Sequence, residues 1–415
     1  MAQLKFMMKR TNFLKFFFFS FFLHLLIAGL CHATVLNTET QIEFKNQIGK
    51  DDALIFTAHD GKVIVSKNAE KELIPASTLK IFTALVALHY LGPEYKFTTE
   101  FYIDNDTNLK IKGYGDPLLI SEVLLEISRI VGTKIKKVRN IILDDSYFVQ
   151  PLTIPGVSSS TQPYDAPNGA LCANFNTVNF RKENGIYVSA EPQTPLLPFA
   201  LQKIKKLGQE SGRIVFSHNN NECTFYAGHL IKHFLNNEGI QTTGSVKAGK
   251  VYKNKDRLIF KYVSKFSLKE IISRILEFSN NYITNQLLIT AGAKAFGPPG
   301  TLDKGVLAAL TYAKNSLGLK HTHIIEGSGI ARQNRTSAKD MEKILKAFEP
   351  YHSLMRREGK EFYKTGTLRG INTRAGYIRN KNGQLHRFVV LINTPGNSTR
   401  KIMKKLHSMN NKANF

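Results

Sequence analysis

Tryptophan is absent from this 415-residue chain, cysteine occurs three times, and acids are scarce, with 32 Asp and Glu against 57 Lys and Arg. The missing tryptophan limits little. The 12 histidines show no H-E-x-x-H or similar ligand spacing, so no metal and no cofactor is expected. No segment repeats in the manner of a solenoid, and the N-terminal Phe run is the one low-complexity stretch, which sets aside repeat architectures. The formal net charge is +25, but no basic motif carries base-stacking aromatics, so no nucleic acid is expected as a partner. A hydrophobic fraction of 42% with 21% charged residues fits a globular protein and excludes a disordered one. The length allows more than one domain and a large core.

Nor is the one marked apolar run long. Phe16 to Leu30 follows Lys5, Lys9, Arg10 and Lys15, and Cys31-His32-Ala33 places small residues at −3 and −1. The run is shorter than the roughly 20 residues a spanning helix needs, and the pattern is that of a secretion signal. Residues 1–33 are expected to be cleaved and the rest exported to the periplasm. An uncleaved leader would hold the protein on the outer face of the cytoplasmic membrane. The leader carries four positive charges and no acids, leaving +21 (25 − 4) on the remainder. Such a field favours an anionic wall or membrane surface, with generally solvated lysines as the equal alternative. With Cys31 in the leader, Cys172 and Cys223 either pair in an oxidising compartment or stay as two buried thiols.

Periodicity and turn residues predict a hairpin over 54–58 and 62–65, then a helix over 77–90 stopped by Gly92-Pro93. Strands are expected at 97–104 and 140–144, and around 177–181, 186–189, 213–217 and 224–226. Helices are expected at 118–131 and 227–237. Further on come helices at 268–278, 283–291, 304–318 and 339–348. Strands at 361–365, 373–378 and 387–392 and a helix at 399–409 close the chain. The fold class is α+β, an antiparallel sheet flanked by helices. Residues 34–97 and 263–415 form one catalytic domain, and 98–262 a large inserted accessory domain.

Three short motifs carry chemistry. In Ser77-Thr78-Leu79-Lys80, a three-residue helical spacing lets the Lys80 amine reach the Ser77 hydroxyl, and a serine needs such a base to become a nucleophile. Lysine serves only if burial or a nearby cation lowers its pKa, and Lys364 could be that cation. Ser279-Asn280-Asn281 lies between two helices. There Ser279 could relay a proton and Asn281 bind a substrate amide. Lys364-Thr365-Gly366-Thr367 ends a strand. Lys364 and Thr365 offer a cation and a hydroxyl to a carboxylate, and Gly366 allows close backbone approach. The backbone N–H groups of Ser77 and Thr367 could form an oxyanion hole. Taken singly, each motif also reads plainly, as a helix cap, a polar turn and an edge strand. S-x-x-K recurs at Ser398–Lys401 and S-x-N at Ser408–Asn410, whereas K-T-G occurs once.

Together the three, in this order, form the motif set of penicillin-interacting serine acyl-transferases. The chain resembles the D-alanyl-D-alanine carboxypeptidase/endopeptidase family, the class C low-molecular-mass penicillin-binding proteins. The likeness extends to Gly113-Tyr114-Gly115-Asp116-Pro117-Leu118, Asp144–Phe148, Tyr164–Pro167, Glu326–Arg332 and Lys364–Ile378. The first two motifs are 202 residues apart (279 − 77), and a long insertion there is characteristic of that family. Asn280 stands where Asp is common, and Glu326 replaces the usual Asp. The resemblance implies catalytic roles for Ser77, Lys80 and Ser279. It implies substrate binding by Asn281, Lys364, Thr365 and Thr367, peptidoglycan stem peptides as substrate, and β-lactam antibiotics as inhibitors. A D-amino-acid esterase, a weak β-lactamase and a non-catalytic wall-binding homologue are the competing readings.

Overall fold

The computed structural model describes Phe44 and residues 47–412 apart from 159, 161 and 218. The expected leader, with its expected cleavage site and Cys31, lies outside the described residues. The chain opens with β1 (Asp52–Thr57), β2 (Val63–Lys67) and α1 (Lys80–Leu91). Next come β3 (Thr98–Ile103), β4 (Leu109–Gly113), α2 (Ser121–Lys134), β5 (Lys137–Val138), β6 (Ile141–Asp144), β7 (Thr177–Glu183) and β8 (Ile186–Ser189). After these follow α3 (Pro198–Leu207), β9 (Ser211–Val215), α4 (Glu222–Asn237), β10 (Gln241–Thr242), β11 (Val246–Ala248) and β12 (Arg257–Val263). The last part holds α5 (Leu268–Phe278), α6 (Asn281–Phe296), α7 (Leu302–Asn315) and α8 (Ala338–Phe348). It ends with β13 (Arg356–Glu358), β14 (Glu361–Leu368), β15 (Ile371–Arg379), β16 (Leu385–Ile392) and α9 (Arg400–Lys412).

Strands from both ends of the sequence share one antiparallel sheet, ordered β13-β14-β15-β16-β1-β2. Its central strands are buried on both faces, and their side chains alternate between two cores. Leu54, Phe56, Phe388 and Val390 pack with Ile402, Met403 and Leu406 of α9. Ala53, Ile55, Val389 and Leu391 face the other way, onto a core built from α1, α5, α6 and α8. One helix layer on each side therefore fixes the register, because a one-residue slip would exchange the two faces. β13 pairs only with Glu361–Tyr363. Beyond Tyr363 the outer edge of β14 is free of a strand partner among the described residues.

The segment between α1 and α5 builds a five-stranded sheet, β11-β6-β4-β3-β12, and a three-stranded one, β8-β7-β9. Its own core includes Val123, Leu124 and Ile127 of α2 and Tyr226, Leu230 and Phe234 of α4. Thr98 and Val263 are register partners of antiparallel β3 and β12, so the chain enters and leaves this segment side by side. Gln286 of α6 holds the segment in place. Its amide donates to the carbonyls of Gly115 (3.1 Å) and Gly169 (2.6 Å) and accepts from Asn168 (2.8 Å).

Two local expectations are corrected. The strand expected around 224–226 is helical, since α4 begins at Glu222. Tyr226, Ala227, Leu230, Ile231 and Phe234 are all buried, and that helical burial outweighs the strand preference of Thr-Phe-Tyr. The helix expected from Ser77 starts as a 3-10 turn, Ala76–Leu79, and becomes α-helical at Lys80. Cys172 and Cys223 are two free buried thiols, and burial pushes Cys172 up to about 11.

Candidate active site

Ser77 is placed by a turn that other parts of the chain clamp. Ala76 adopts φ +46°, a conformation that persists in a non-glycine residue only where its surroundings hold it. The Pro75 carbonyl accepts from the hydroxyls of Thr78 (2.6 Å) and Thr373 (2.7 Å). Two glycines bring backbone against this turn. A methyl on Gly329 would lie 2.0 Å from the Ala76 carbonyl oxygen, and one on Gly366 would lie 2.7 Å from the Ser77 nitrogen. The free edge of β14 thus runs directly past the Ser77 N–H.

The second motif sits where two helices meet. Ser267 and Glu270 form a capping box that starts α5, and Leu268, Ile271, Ile272, Ile275 and Leu276 pin its apolar face. The helix ends on Ser279, which takes φ +59°. Asn280 then caps α6, its side chain accepting from the Ile283 N–H at 2.9 Å. Asn281 therefore begins α6 and turns toward α1.

There the sites converge on Lys80. Its Nζ donates to Ser77 Oγ (3.0 Å), Asn281 Oδ1 (2.7 Å) and the Ser328 carbonyl (2.7 Å). Three acceptors match the three N–H groups of an ammonium. As a neutral amine the group keeps two N–H bonds, to Asn281 and Ser328, and turns its lone pair to the Ser77 hydroxyl. Lys80 is 0% exposed. Burial first, and the Lys364 cation second, bring its pKa down to about 7, while the Glu326 carboxylate pulls the other way. Both forms are therefore populated near neutrality, as a general base requires. Lys364 is itself buried and lowered to about 8 by burial, with Glu277 opposing and Arg356 assisting.

The remaining sequence-predicted residues are arranged differently. Ser279 is half-buried, and its hydroxyl has no hydrogen-bond partner among the described residues. Thr365 and Thr367 alternate with Lys364 and Gly366 along β14, opposite Arg374 and Asn372. Both are exposed and line an open cavity of about 880 Å³ with Asn372 and Arg374. Their side chains are thus not part of the Lys80 cluster, although the backbone of Thr367 directly follows Gly366. Ser328 is the participant that residue-by-residue reading does not assign a role. It acts through its carbonyl, a group every residue carries, so its identity gives no signal.

The antiparallel sheet flanked by helices, with a serine–lysine pair beside its free edge and an asparagine from an interhelical turn, has the penicillin-binding/β-lactamase-like fold. The chain belongs to the D-Ala-D-Ala carboxypeptidase 3 (S13) family, which it matches over residues 41–211, 206–356 and 354–413. It is 24% identical over 402 residues to a D-alanyl-D-alanine carboxypeptidase from Actinomadura sp. (strain R39), covering 78% of this chain and 74% of that one. The crystal structure of penicillin binding protein 4 (dacB) from Haemophilus influenzae superposes with a TM-score of 0.71 at 19% identity, over 88% of this chain and 98% of that one. The same protein complexed with a β-lactam gives a TM-score of 0.66 at 21% identity, over 86% and 93%.

Proposed function

We propose that the protein is an exported serine DD-peptidase that hydrolyses D-Ala-D-Ala and/or D-Ala–diamino acid bonds of peptidoglycan stem peptides through an acyl-enzyme on Ser77. The observation that carries this reading is the Lys80 amine, held 3.0 Å from Ser77 Oγ with a pKa of about 7. Neutral Lys80 takes the Ser77 proton as Oγ bonds to the carbonyl carbon of the penultimate D-Ala. The carbonyl oxygen becomes an oxyanion facing the N–H groups of Ser77 and Thr367. The C–N bond then breaks, and the Ser279 hydroxyl relays a proton from Lys80 to the departing amine. Water hydrolyses the ester, with Lys80 again as base, and restores Ser77. Lys364, Thr365 and Asn281 hold the peptide along the edge of β14, Lys364 as the charge and Thr365 from its outer face.

Residues 34–97 and 263–415 serve as the catalytic domain and 98–262 as the accessory domain, a division supported by the core that the inserted segment builds from its own residues, while Leu118, Ala166 and Cys172 of that segment pack onto the catalytic core. The N-terminal leader supports a periplasmic location. Among the described residues no helix is long and apolar enough to cross a membrane. The excess of basic residues supports an anionic wall or membrane surface as a further contact. A β-lactam, as a mimic of D-Ala-D-Ala, acylates the same serine and blocks the water step.

Intact mass after incubation with benzylpenicillin tests the reading. One adduct per chain is expected, absent from Ser77→Ala. An adduct retained in Ser77→Ala, or no adduct and no drug consumption in the unaltered protein, removes it. Rates on a D-Ala-D-Ala peptide, a simple ester and a penicillin separate the peptidase from an esterase or a β-lactamase.

A further inference from the structure

Glu326 is a carboxylate with no exposure to solvent and, among the described residues, no cationic partner in hydrogen-bond contact. Six neutral donors surround it instead. Oε2 accepts from Asn285 Nδ2 (3.1 Å), the Ser328 N–H (2.6 Å) and the Ser328 hydroxyl (2.7 Å). Oε1 accepts from the N–H groups of Gly329 (2.7 Å) and Ala331 (3.3 Å) and from Asn334 Nδ2 (2.6 Å). One side chain thereby folds residues 326–334 around itself. A buried charge satisfied by neutral dipoles keeps its field, because nothing opposite in sign cancels it locally.

This loop reaches the reacting groups through one atom. The Ser328 carbonyl accepts from Lys80 Nζ at 2.7 Å, and Gly329 packs on the carbonyl of Ala76, next to Ser77. The loop is also tied to the helices on either side. Thr83 of α1 donates to the Gly327 carbonyl (2.7 Å), and Asn285 of α6 accepts from the Gly327 N–H (2.7 Å). Asn285 lies one helical turn from Asn281 on α6, so a single helix carries one ligand to Lys80 and one to Glu326.

We propose that Glu326 is the positioning residue of Lys80, shaping the loop whose Ser328 carbonyl fixes the amine against Ser77 and supplying the buried negative charge that opposes Lys364. The inference rests on the serine-peptidase reading of the site. Lys80 is faced by Ser77 from its own turn, neutral Asn281 from α6, the Ser328 carbonyl and Glu326 carboxylate from the loop, and the Lys364 cation from β14. Glu326 and Lys364 are the two charges among these. Removing Glu326 leaves Lys364 unopposed, so the Lys80 amine gives up its proton more readily and its base form persists to lower pH.

The test is the pH dependence of benzylpenicillin acylation, normalised to titrated active sites, in the unaltered protein, Glu326→Gln and Glu326→Asp. Glu326→Gln keeps the size, loses the charge and turns one acceptor into a donor facing donors. Its acylation rate is expected to fall at least about tenfold, with the acid-limb midpoint lower by about one pH unit. Glu326→Asp keeps the charge, and its midpoint stays near that of the unaltered protein at a reduced rate. A Glu326→Gln midpoint that does not move, whatever the rate, overturns the proposal, since a purely structural role lowers the rate alone. Should Glu326→Gln not fold, Ser328→Ala removes a single donor. A severalfold lower acylation rate with KM for a peptide substrate held within about twofold supports the proposal, and an unchanged rate overturns it. Failure of the unaltered protein to be acylated overturns the underlying reading as well, and so is distinguishable from failure of the Glu326 role alone.

Discussion

Asn281 accepts a 2.7 Å hydrogen bond from the Lys80 amine, although 201 positions separate the two residues. The contact joins the start of α6 to the start of α1, and the Asn281 amide N–H₂ has no partner among the described residues, as the proposed binding of a substrate carbonyl requires. Asn281→Ala removes one of three acceptors from a buried amine. A hydrogen bond to a charged group is worth about 2 kcal/mol, or roughly 30-fold. The acylation rate with benzylpenicillin is expected to fall by about that factor while the fold persists. A change under threefold would show that the contact holds no catalytic geometry.

The balance of charge around Lys80 sets a pH profile. Acylation should rise with pH through a midpoint of about 7, the Lys80 value, because in the proposed mechanism the neutral amine is the base. Lys364 lowers that value, so Lys364→Gln lets Lys80 hold its proton to higher pH. The acid limb is expected to move up by about one unit. A limb that stays in place in Lys364→Gln would remove Lys364 from the tuning of the base and leave it substrate binding alone.

How far the site was legible depends on where each contribution lies in the covalent structure. Ser77 and Lys80 share a helical face at three-residue spacing, and Ser279 with Asn281 falls between a capped helix end and a capped helix start. Those arrangements follow from local periodicity and capping, which a sequence displays. The sheet joining both ends of the chain was likewise readable from the apolar strand runs at 54–58 and 387–392. The positive φ of Ala76 was not, because tertiary contacts from Gly329 and Thr373 impose it. Ser328 was silent because its carbonyl acts. Glu326 drew notice only as a replacement, since its six donors come together only in the fold. The outward face of Thr365 and Thr367 follows from simple strand alternation with Lys364, a signal present in the sequence but outweighed by reading the four residues as one patch. In α4, burial of Tyr226 overrode a local strand preference.

Holding a lysine ready as a base opposes stability, and the sign can be stated. In the unfolded chain Lys80 binds its proton below about 10.5, but in the folded chain only below about 7. Between those values the unfolded state binds more protons, so stability rises with pH, and below about 7 the full penalty applies. The difference corresponds to something on the order of 5 kcal/mol. Lys364, lowered to about 8, adds a slope of the same sign over a narrower window. Lys80→Met is expected to abolish acylation and to flatten the dependence of unfolding free energy on pH between 7 and 9.5, measured in urea. An identical slope in Lys80→Met would mean that Lys80 is not held neutral by its surroundings.

Gly366 is where β14 packs against the turn that carries Ser77. A methyl there would lie 2.3 Å from Thr373 Oγ1, 2.7 Å from the Ser77 nitrogen and 2.9 Å from the Pro75 carbonyl oxygen. Two of those three atoms are backbone, and the third is bound to Pro75 at 2.7 Å, so none can yield without moving the turn or β14. Overpacking of this kind destabilises by about 1–3 kcal/mol, which the sheet can bear because β14 is held along its full length by β15. The proposed catalysis is far less tolerant, since a shift of about 1 Å in the Ser77 N–H would misplace the proposed oxyanion donor. Gly366→Ala is therefore expected to lower the melting temperature by only a few degrees and acylation by more than about 100-fold. Near-normal acylation in a folded Gly366→Ala would place the oxyanion donors elsewhere than at Ser77 and Thr367.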